Sequence, residues 1–482
     1  MSAFRWTDLE VRKALGMNPG RAREGLAFTG ISTDSRTVEA GNLFLALSGE
    51  TFEGHDFVSH ALANGATGVV ASREISVEES TRIYPVDDTL LALGRLARHR
   101  RRALKARVVG ITGSSGKTTT KDLVAETLRG TFRVHATPMN LNNRIGLPRT
   151  ILDAPDDAQV LVLEMGTNEP GEIRALAAVA EPALGVITTV SESHLEKLGS
   201  VEGVLEEKLD LFRGLVPPAI GVVGDEPPML REGARNLVSE LRVVGWTEEA
   251  DPEFRPAEAE ITQQGCFRFR WRERQVQMGL PGRHSVQNAL LALAVAEALG
   301  VGARDAARRV TRVRPRPMRS ELRSLGSLTL LLDCYNANPQ SVRAALDLLE
   351  TIQVLGPRVA VLGSMLELGE ETRLLHRQVL EDALERPLEM VVATGLFSEA
   401  ARWIQPPAQG PELVPAGTLA EAEEILTRHL GGTEVVLLKA SRGVAMESLI
   451  PGLEKRFGAA GSSGAGAEDR VRKASAAREG ET

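Results

Sequence analysis

The chain is poor in cysteine and has no long apolar run, and its charge balance is not basic. Only Cys266 and Cys334 occur in 482 residues, which excludes a disulfide-stapled scaffold and a cysteine-rich zinc site and fits a reducing cytoplasm. The longest apolar stretches, Val435 to Leu438 and Leu328 to Leu332, are far too short to span a bilayer. The first residues, MSAFRWTDLEVRKALG, lack a basic segment followed by an apolar one, so no signal peptide is expected. Lys and Arg total 57 against 64 Asp and Glu, a formal charge of −7, which argues against a general nucleic-acid binder. What is present suits a soluble, cytoplasmic, multidomain protein. Hydrophobic residues make up 43% of the chain. At about 150 residues per domain the length suggests roughly three domains.

The punctuation of the chain supports α/β domains. Residues 1–106 combine short apolar runs (Leu43 to Leu47, Thr67 to Ala71) with glycine-containing turns and read as a small α/β unit. A basic helical segment, Leu91 to Lys105, closes it, and its RHRRRALK stretch reads as a solvated helix face or linker. Residues 107–317 repeat a short apolar strand, a polar or glycine-rich turn and a helix. The strands are Arg107 to Thr112, Val160 to Glu164, Leu184 to Val190 and Ala219 to Gly224, a pattern that predicts a buried parallel sheet. The pattern restarts over 318–457 with Leu328 to Asp333, Arg358 to Gly363, Glu389 to Thr394 and Glu434 to Lys439, which reads as a second, Rossmann-like parallel-sheet domain. The junction Val313 to Arg319 carries two prolines, as a hinge would. Residues 458–482, rich in Gly, Ala, Ser and charge, read as a disordered tail.

Chemistry concentrates at the ends of these strands. Gly110-Ile-Thr-Gly-Ser-Ser-Gly-Lys-Thr118 follows one strand and opens the helix Lys117 to Leu128. Backbone amides of such a turn point at phosphate oxygens, Lys117 reaches the β/γ-phosphates, and the Thr118 hydroxyl can ligate Mg²⁺. The general phosphate-loop pattern has Gly at 111, where this chain has Ile, with Gly113 inside the loop instead. Glu164 ends the apolar run QVLVLE and is placed to hold Mg²⁺ beside the phosphate loop. Ser193-His194-Leu-Glu196 follows another strand, with Lys208 fourteen residues beyond His194; by spacing alone neither His194 nor Lys208 signals a function. In the last domain Asp333-Cys-Tyr-Asn-Ala-Asn-Pro339 and Lys439-Ala-Ser-Arg442 each end a strand, at the sheet edge where open α/β folds bind ligands.

Taken together these segments resemble the Mur ligase family, ATP-dependent amide ligases of peptidoglycan precursor synthesis, from about Ile31 to about Leu453. The resemblance rests on ISTDSRTVEAGNLFLALSGETFEGHDF, TGSSGKTTTK, EMG, SHLEKLGS and PGRHSVQNALLALAVA, and most specifically on ATPMNLNNRIGLP, DCYNANPQSVRAAL and VLGSMLELGEET. It implies three domains: a nucleotide-sugar domain, a central ATPase domain and a C-terminal domain. The substrates it implies are ATP, UDP-N-acetylmuramoyl-tripeptide and D-alanyl-D-alanine. The γ-phosphate would activate the tripeptide carboxylate as an acyl phosphate, which the dipeptide amine attacks. It further implies two Mg²⁺ ions, a carbamylated Lys208, no nucleic-acid or membrane partner and a monomer.

Residue by residue, the resemblance assigns Gly113, Ser114, Ser115, Gly116, Lys117, Thr118 and Thr119 to ATP, with Asn288 at the adenine and Arg319 and Asp333 at the phosphate and ribose. Thr118 and Glu164 correspond to ligands of the first Mg²⁺, and His194 and carbamylated Lys208 to metal ligands as well. Lys117, His194, Lys208, Asn142 and Asn143 fall at the reacting centre. Ser35 and Arg36 fit the uridine end, and Asn336, Asn338, Lys439, Ser441 and Arg442 the peptide and dipeptide region. The chain departs from the family pattern at Thr189, Ser285, Pro317, Ser364 and Ala440. Two other readings compete: a relative adding a different amino acid, such as the third stem residue or a folate glutamate, and a phosphate-loop nucleotide switch. The YNANP stretch and the lack of a DNPR motif oppose the first. Against the second, a switch leaves Lys208 and the C-terminal sheet without a role.

Overall fold

Short, fully apolar strands must satisfy their backbone groups sideways and bury both faces, and the central region does this with six parallel strands. From one edge to the other they run Glu240–Val244, Ile220–Gly224, Leu184–Ile187, Arg107–Thr112, Val160–Glu164 and Val134–Ala136. Every residue of Val160–Glu164 and Leu184–Ile187 is buried. The order reverses at Arg107–Thr112, whose neighbours come later in the chain on both sides. A parallel sheet opens a crevice at the carboxyl ends of its strands at such a switch point. The computed structural model describes residues 4–49, 53–77, 81–353 and 356–458. The tail read from Gly458 on therefore lies, but for Gly458 itself, outside the described residues.

Two compact units result. The first comprises the chain up to Glu260 together with Phe267–Gly279 and Arg283–Val313, and the second comprises the chain from Arg314 on together with Ile261–Cys266 and Leu280–Gly282. The first unit also holds a smaller parallel sheet, in the order Ile31–Ser32, Leu43–Leu45, Gly68–Ala71, Arg82–Pro85. A three-stranded sheet, Ala257–Ile261, Cys266–Trp271 and Arg274–Pro281, was not anticipated from the sequence. In it Phe267, Phe269 and Trp271 are buried while Arg268 and Arg270 remain accessible, the two-residue alternation of a strand with one wet face. The second unit sets an antiparallel edge, Glu321–Leu325 on Leu328–Leu332, beside the parallel strands Val435–Lys439, Arg358–Leu362, Met390–Thr394 and Glu412–Ala416. No helix among the described residues is long and apolar enough to cross a membrane.

The basic segment closing the first α/β region is only in part a solvated face: Arg98 and Arg102 are exposed, but the segment also packs. It lies on the helix Thr89–Ala103, and Arg100 is buried at 5% exposure. Arg100 Nη2 donates to Ala154 O at 2.7 Å and to Asp156 Oδ1 at 2.6 Å. Arg101 Nε donates to Ala180 O, and Arg98 and Arg102 both pair with Glu181. These arginines fasten the first sheet to the helices of the central one. Arg100→Ala leaves a buried carbonyl without its donor, and unfolding in urea is expected to show a loss of about 1–3 kcal/mol; an unchanged midpoint would contradict this role.

Candidate active site

The phosphate turn needs two glycines for reasons of space. Ile111 is interior to the buried strand Arg107–Thr112, so the turn begins only at Gly113, with φ 144°. A Cβ there would overlap Thr188 Oγ1, and a Cβ on Gly116 (φ 79°) would meet Asn288 Oδ1 at 2.7 Å. The helix Lys117–Leu128 follows at once, so its N-terminal N–H groups and the Lys117 side chain gather at the turn. Lys117 Nζ donates to Gly113 O at 2.6 Å. Asn288, on the buried helix Arg283–Ala298, is thereby placed against the turn, where the resemblance puts the adenine contact.

Glu164 closes the floor of the site at the end of the neighbouring strand and is 2% exposed. Its Oε1 accepts from Thr118 Oγ1 at 3.1 Å and from Asn142 Nδ2 at 2.8 Å, while Oε2 is buried with no hydrogen-bond partner. Its backbone N–H donates to Thr137 Oγ1 at 2.9 Å. Asn142 is held in turn by Gly166, whose N–H donates to Asn142 O at 2.8 Å. The adjacent Asn143 turns to the backbone instead. Its Oδ1 accepts from Ile145 N and Gly146 N and caps the turn into the helix Gly146–Leu152.

Lys208 is fully enclosed on the helix Val201–Arg213, at 1% exposure. Burial, with the nearby Lys117 charge as a second cause, lowers its pKa from 10.5 to about 7. Near neutrality a large fraction is therefore the uncharged, nucleophilic amine. Its neighbour Glu207, which sequence reading missed, organises the adjoining loop. Its carboxylate accepts from Thr167 Oγ1 at 3.1 Å, Gly171 N at 2.6 Å and Ile173 N at 2.8 Å. No motif signals Glu207 beforehand except its position beside Lys208. His194 is half-buried and begins a short helical turn in the left-handed conformation, at φ 54°.

Elsewhere in the first unit, Ser35 is buried with its Oγ 3.0 Å from His60 Nδ1. Arg36 pairs with Asp34 at 2.7 Å, and its hydrogen bonds hold the Asp34 carboxyl down at about 2. Asp34 also feels the charge of Arg149, on the helix that follows Asn143.

The second unit assembles its own polar cluster where strands Leu328–Leu332 and Val435–Lys439 end. Lys439 Nζ, 2% exposed, donates to Asp333 Oδ2 at 2.6 Å and to Asn336 O at 2.7 Å. Asp333 Oδ1 accepts from Ser320 N at 2.9 Å. Arg319 stacks on the Tyr335 ring, 3.9 Å from its centroid. Arg442 Nη1 bonds Glu447 Oε1 at 2.6 Å. Ser441 Oγ accepts from Leu366 N at 3.0 Å. Asn338 caps the helix Pro339–Thr351 through a reciprocal bond with Ser341. Ser364, a departure from the family pattern, accepts from Leu396 N at 3.0 Å.

Comparison with known proteins agrees with this layout. Residues 27–101 match the Mur ligase family catalytic domain, 111–296 the Mur ligase middle domain and 318–442 the Mur ligase glutamate ligase domain. The chain is 34% identical over 435 residues to the UDP-N-acetylmuramoyl-tripeptide–D-alanyl-D-alanine ligase of Bacillus subtilis, covering 88% of this chain and 93% of that one. A crystal structure of MurF from Acinetobacter baumannii superposes with a TM-score of 0.83 at 30% identity, covering 94% of this chain and 100% of that one. MurF ligase from Thermotoga maritima, solved in complex with ADP, gives a TM-score of 0.78 at 29% identity, with 89% and 97% covered.

The lowered Lys208 pKa sets a sign for stability against pH. The unfolded chain binds this proton more tightly than the folded one, so the penalty is full below about 7 and fades as pH rises towards 10.5. In CO₂-depleted buffer, Lys208→Met is expected to stabilise the protein more at pH 6 than at pH 10. Equal gains at both, read from urea midpoints, would show that the buried charge is not the cause.

Proposed function

The chain belongs to the Mur ligase family, and on that premise we propose that it joins D-alanyl-D-alanine to UDP-N-acetylmuramoyl-tripeptide, converting ATP to ADP and phosphate, in peptidoglycan precursor synthesis. The observation that carries this reading is the phosphate turn set against a buried carboxylate compensated on one oxygen only, in a chain alike nearly end to end to ligases of that specificity. A carboxylate is a poor electrophile. Transfer of the γ-phosphoryl group to the tripeptide's terminal carboxylate gives an acyl phosphate; the dipeptide amine attacks its carbonyl carbon, and phosphate leaves with the C–O bond. The protein's share is to bring anions together and neutralise them. The N–H groups of the turn and Lys117 hold the ATP phosphates, Asn288 borders the adenine, and Asn142 keeps Glu164 oriented. The Ser35 and Arg36 region takes the uridine nucleotide. In the second unit Lys439, Ser441 and Arg442 offer cationic and hydroxyl groups to the dipeptide carboxylate, beside Asn336 and Asn338.

The residues present fit Mg²⁺. Thr118 and Glu164 supply hard oxygen donors, and Glu164 Oε2 is buried and unpartnered. Among the described residues no three His, Cys, Asp or Glu side chains gather into a metal site, which suits an ion completed by phosphate oxygens and water. When bound, Mg²⁺ neutralises the phosphates between which the reaction runs. Lys208 is disposed to react with CO₂: its neutral amine forms the N–C bond and releases a proton, and the carbamate supplies oxygen donors where an ammonium would repel a cation. His194 is the candidate ligand for a second ion.

The purified chain, given ATP, Mg²⁺, D-alanyl-D-alanine and UDP-linked tripeptides carrying either diaminopimelate or lysine, is expected to release phosphate only with all components. The product should gain the mass of one dipeptide less water. Phosphate release independent of the dipeptide would instead support a nucleotide switch. Glu164→Gln keeps the shape but removes the charge, and the half-saturating Mg²⁺ concentration is expected to rise by about tenfold or more. An unshifted Mg²⁺ titration would remove Glu164 from the ion.

A further inference from the structure

The loop carrying His194 is fastened to the phosphate turn by hydroxyls for which the ligation chemistry has no use. Backbone pairing continues past the strand Leu184–Ile187: Thr188 N donates to Thr112 O, and Ser114 N to Thr189 O, both at 2.9 Å. Beyond that point side chains take over. Ser114 Oγ donates to Ser191 O at 3.2 Å, accepts from Ser191 N at 3.1 Å and accepts from Ser193 Oγ at 2.8 Å. Ser114, Ser191 and Ser193 are each only 6% exposed. One hydroxyl of the phosphate turn therefore holds three atoms of a loop separated from it by more than seventy residues.

The next residue is His194. Its backbone is left-handed, φ 54°, a conformation uncommon outside glycine, and its carbonyl accepts from Lys197 N at 3.1 Å and Leu198 N at 2.9 Å. A backbone held this way fixes the direction in which the His194 side chain leaves the chain, and the residue on its N-terminal side is Ser193. We propose that Ser114 and Ser193 form a buried latch that fixes His194 relative to the phosphate turn. Both are positioning residues, acting on the reacting centre through His194. Because Ser114 belongs to the nucleotide turn itself, the latch makes the placement of His194 depend on the conformation of that turn. A low-dielectric interior strengthens such a hydroxyl chain and leaves any broken member without a water to replace it. The proposal rests on the reading of His194 as a metal-side ligand in the ligation.

Wild-type product formation, measured first on the full chain, tests the ligation by itself, and a half-saturating Mg²⁺ concentration raised in His194→Ala tests the reading of His194. Ser193→Ala, Ser114→Ala and the double variant then test the latch through steady-state kinetics, Mg²⁺ titration and a thermal midpoint. The expected result for each single variant is a kcat lower by about tenfold and a half-saturating Mg²⁺ concentration raised several-fold, and for Ser193→Ala, which lies outside the nucleotide turn, KM for ATP stays within about twofold. The double variant should lose no more than the worse single one, because both substitutions break one connection. A packing role alone would lower the midpoint and leave the Mg²⁺ titration in place, and that outcome overturns the proposal. Losses in kcat that multiply in the double variant overturn it as well. Should Ser193→Ala fail to fold, Ser114→Ala read against Mg²⁺ carries the same test.

Discussion

A carboxylate taken out of water must be compensated, and Glu164 is compensated on one oxygen only. The rest of the site is intelligible from this constraint. Thr118 comes from the helix that opens on the phosphate turn, Asn142 from the loop after Val134–Ala136, and the carboxylate from the strand between them in space. Two separate segments thus spend polar groups on a single oxygen of a third. The remaining oxygen is buried with no hydrogen-bond partner, which is why it is the atom proposed for Mg²⁺. The lysine at position 208 poses the same problem with the opposite sign. Burial and the Lys117 charge outweigh the pull of Glu207 and Glu172 on it, and its pKa falls to about 7.

Both α/β regions use one device, the carboxyl edge of a parallel sheet, and apply it differently. In the first unit the edge is built for phosphate: glycines that admit the backbone, a helix N-terminus and a lysine. In the second the strand ends carry Asp333 and Lys439 already paired, with asparagines tied to local backbone. Pairing at rest leaves little net charge at this pair.

The sequence made the strands that bear the chemistry legible because their runs are short, apolar and end in turn residues. Arg107–Thr112 and Val160–Glu164 begin and end where the pattern says. The helix Lys117–Leu128 was equally clear. Other features were hidden for identifiable reasons. The alternation in FRFRW is a strand signal, but it stands outside the repeated strand–turn–helix pattern. The arginines of RHRRRALK read as surface because charge runs usually are, and nothing local announces the carbonyls of Ala154 and Ala180 that receive them. Asn142 and Asn143 are adjacent and alike in type, yet one holds a carboxylate and the other a turn, a distinction that only the fold makes. Glu207 and the serines around Ser114 act through contacts distant in sequence, where no spacing rule operates.

The arginine seam has a consequence for modularity. Topology changes near Lys105, where the small sheet gives way to the large one, and a recombination event or a protease would be guided to such a boundary. Mechanically the seam lies elsewhere. A fragment ending there would carry Arg98, Arg100, Arg101 and Arg102 without the acceptors supplied by Ala154, Asp156, Ala180 and Glu181. The first α/β region is therefore not an exchangeable cassette. Any graft that brings a different first α/β region to this central sheet must carry with it a matching face on the helices that end at Leu152 and Ala180.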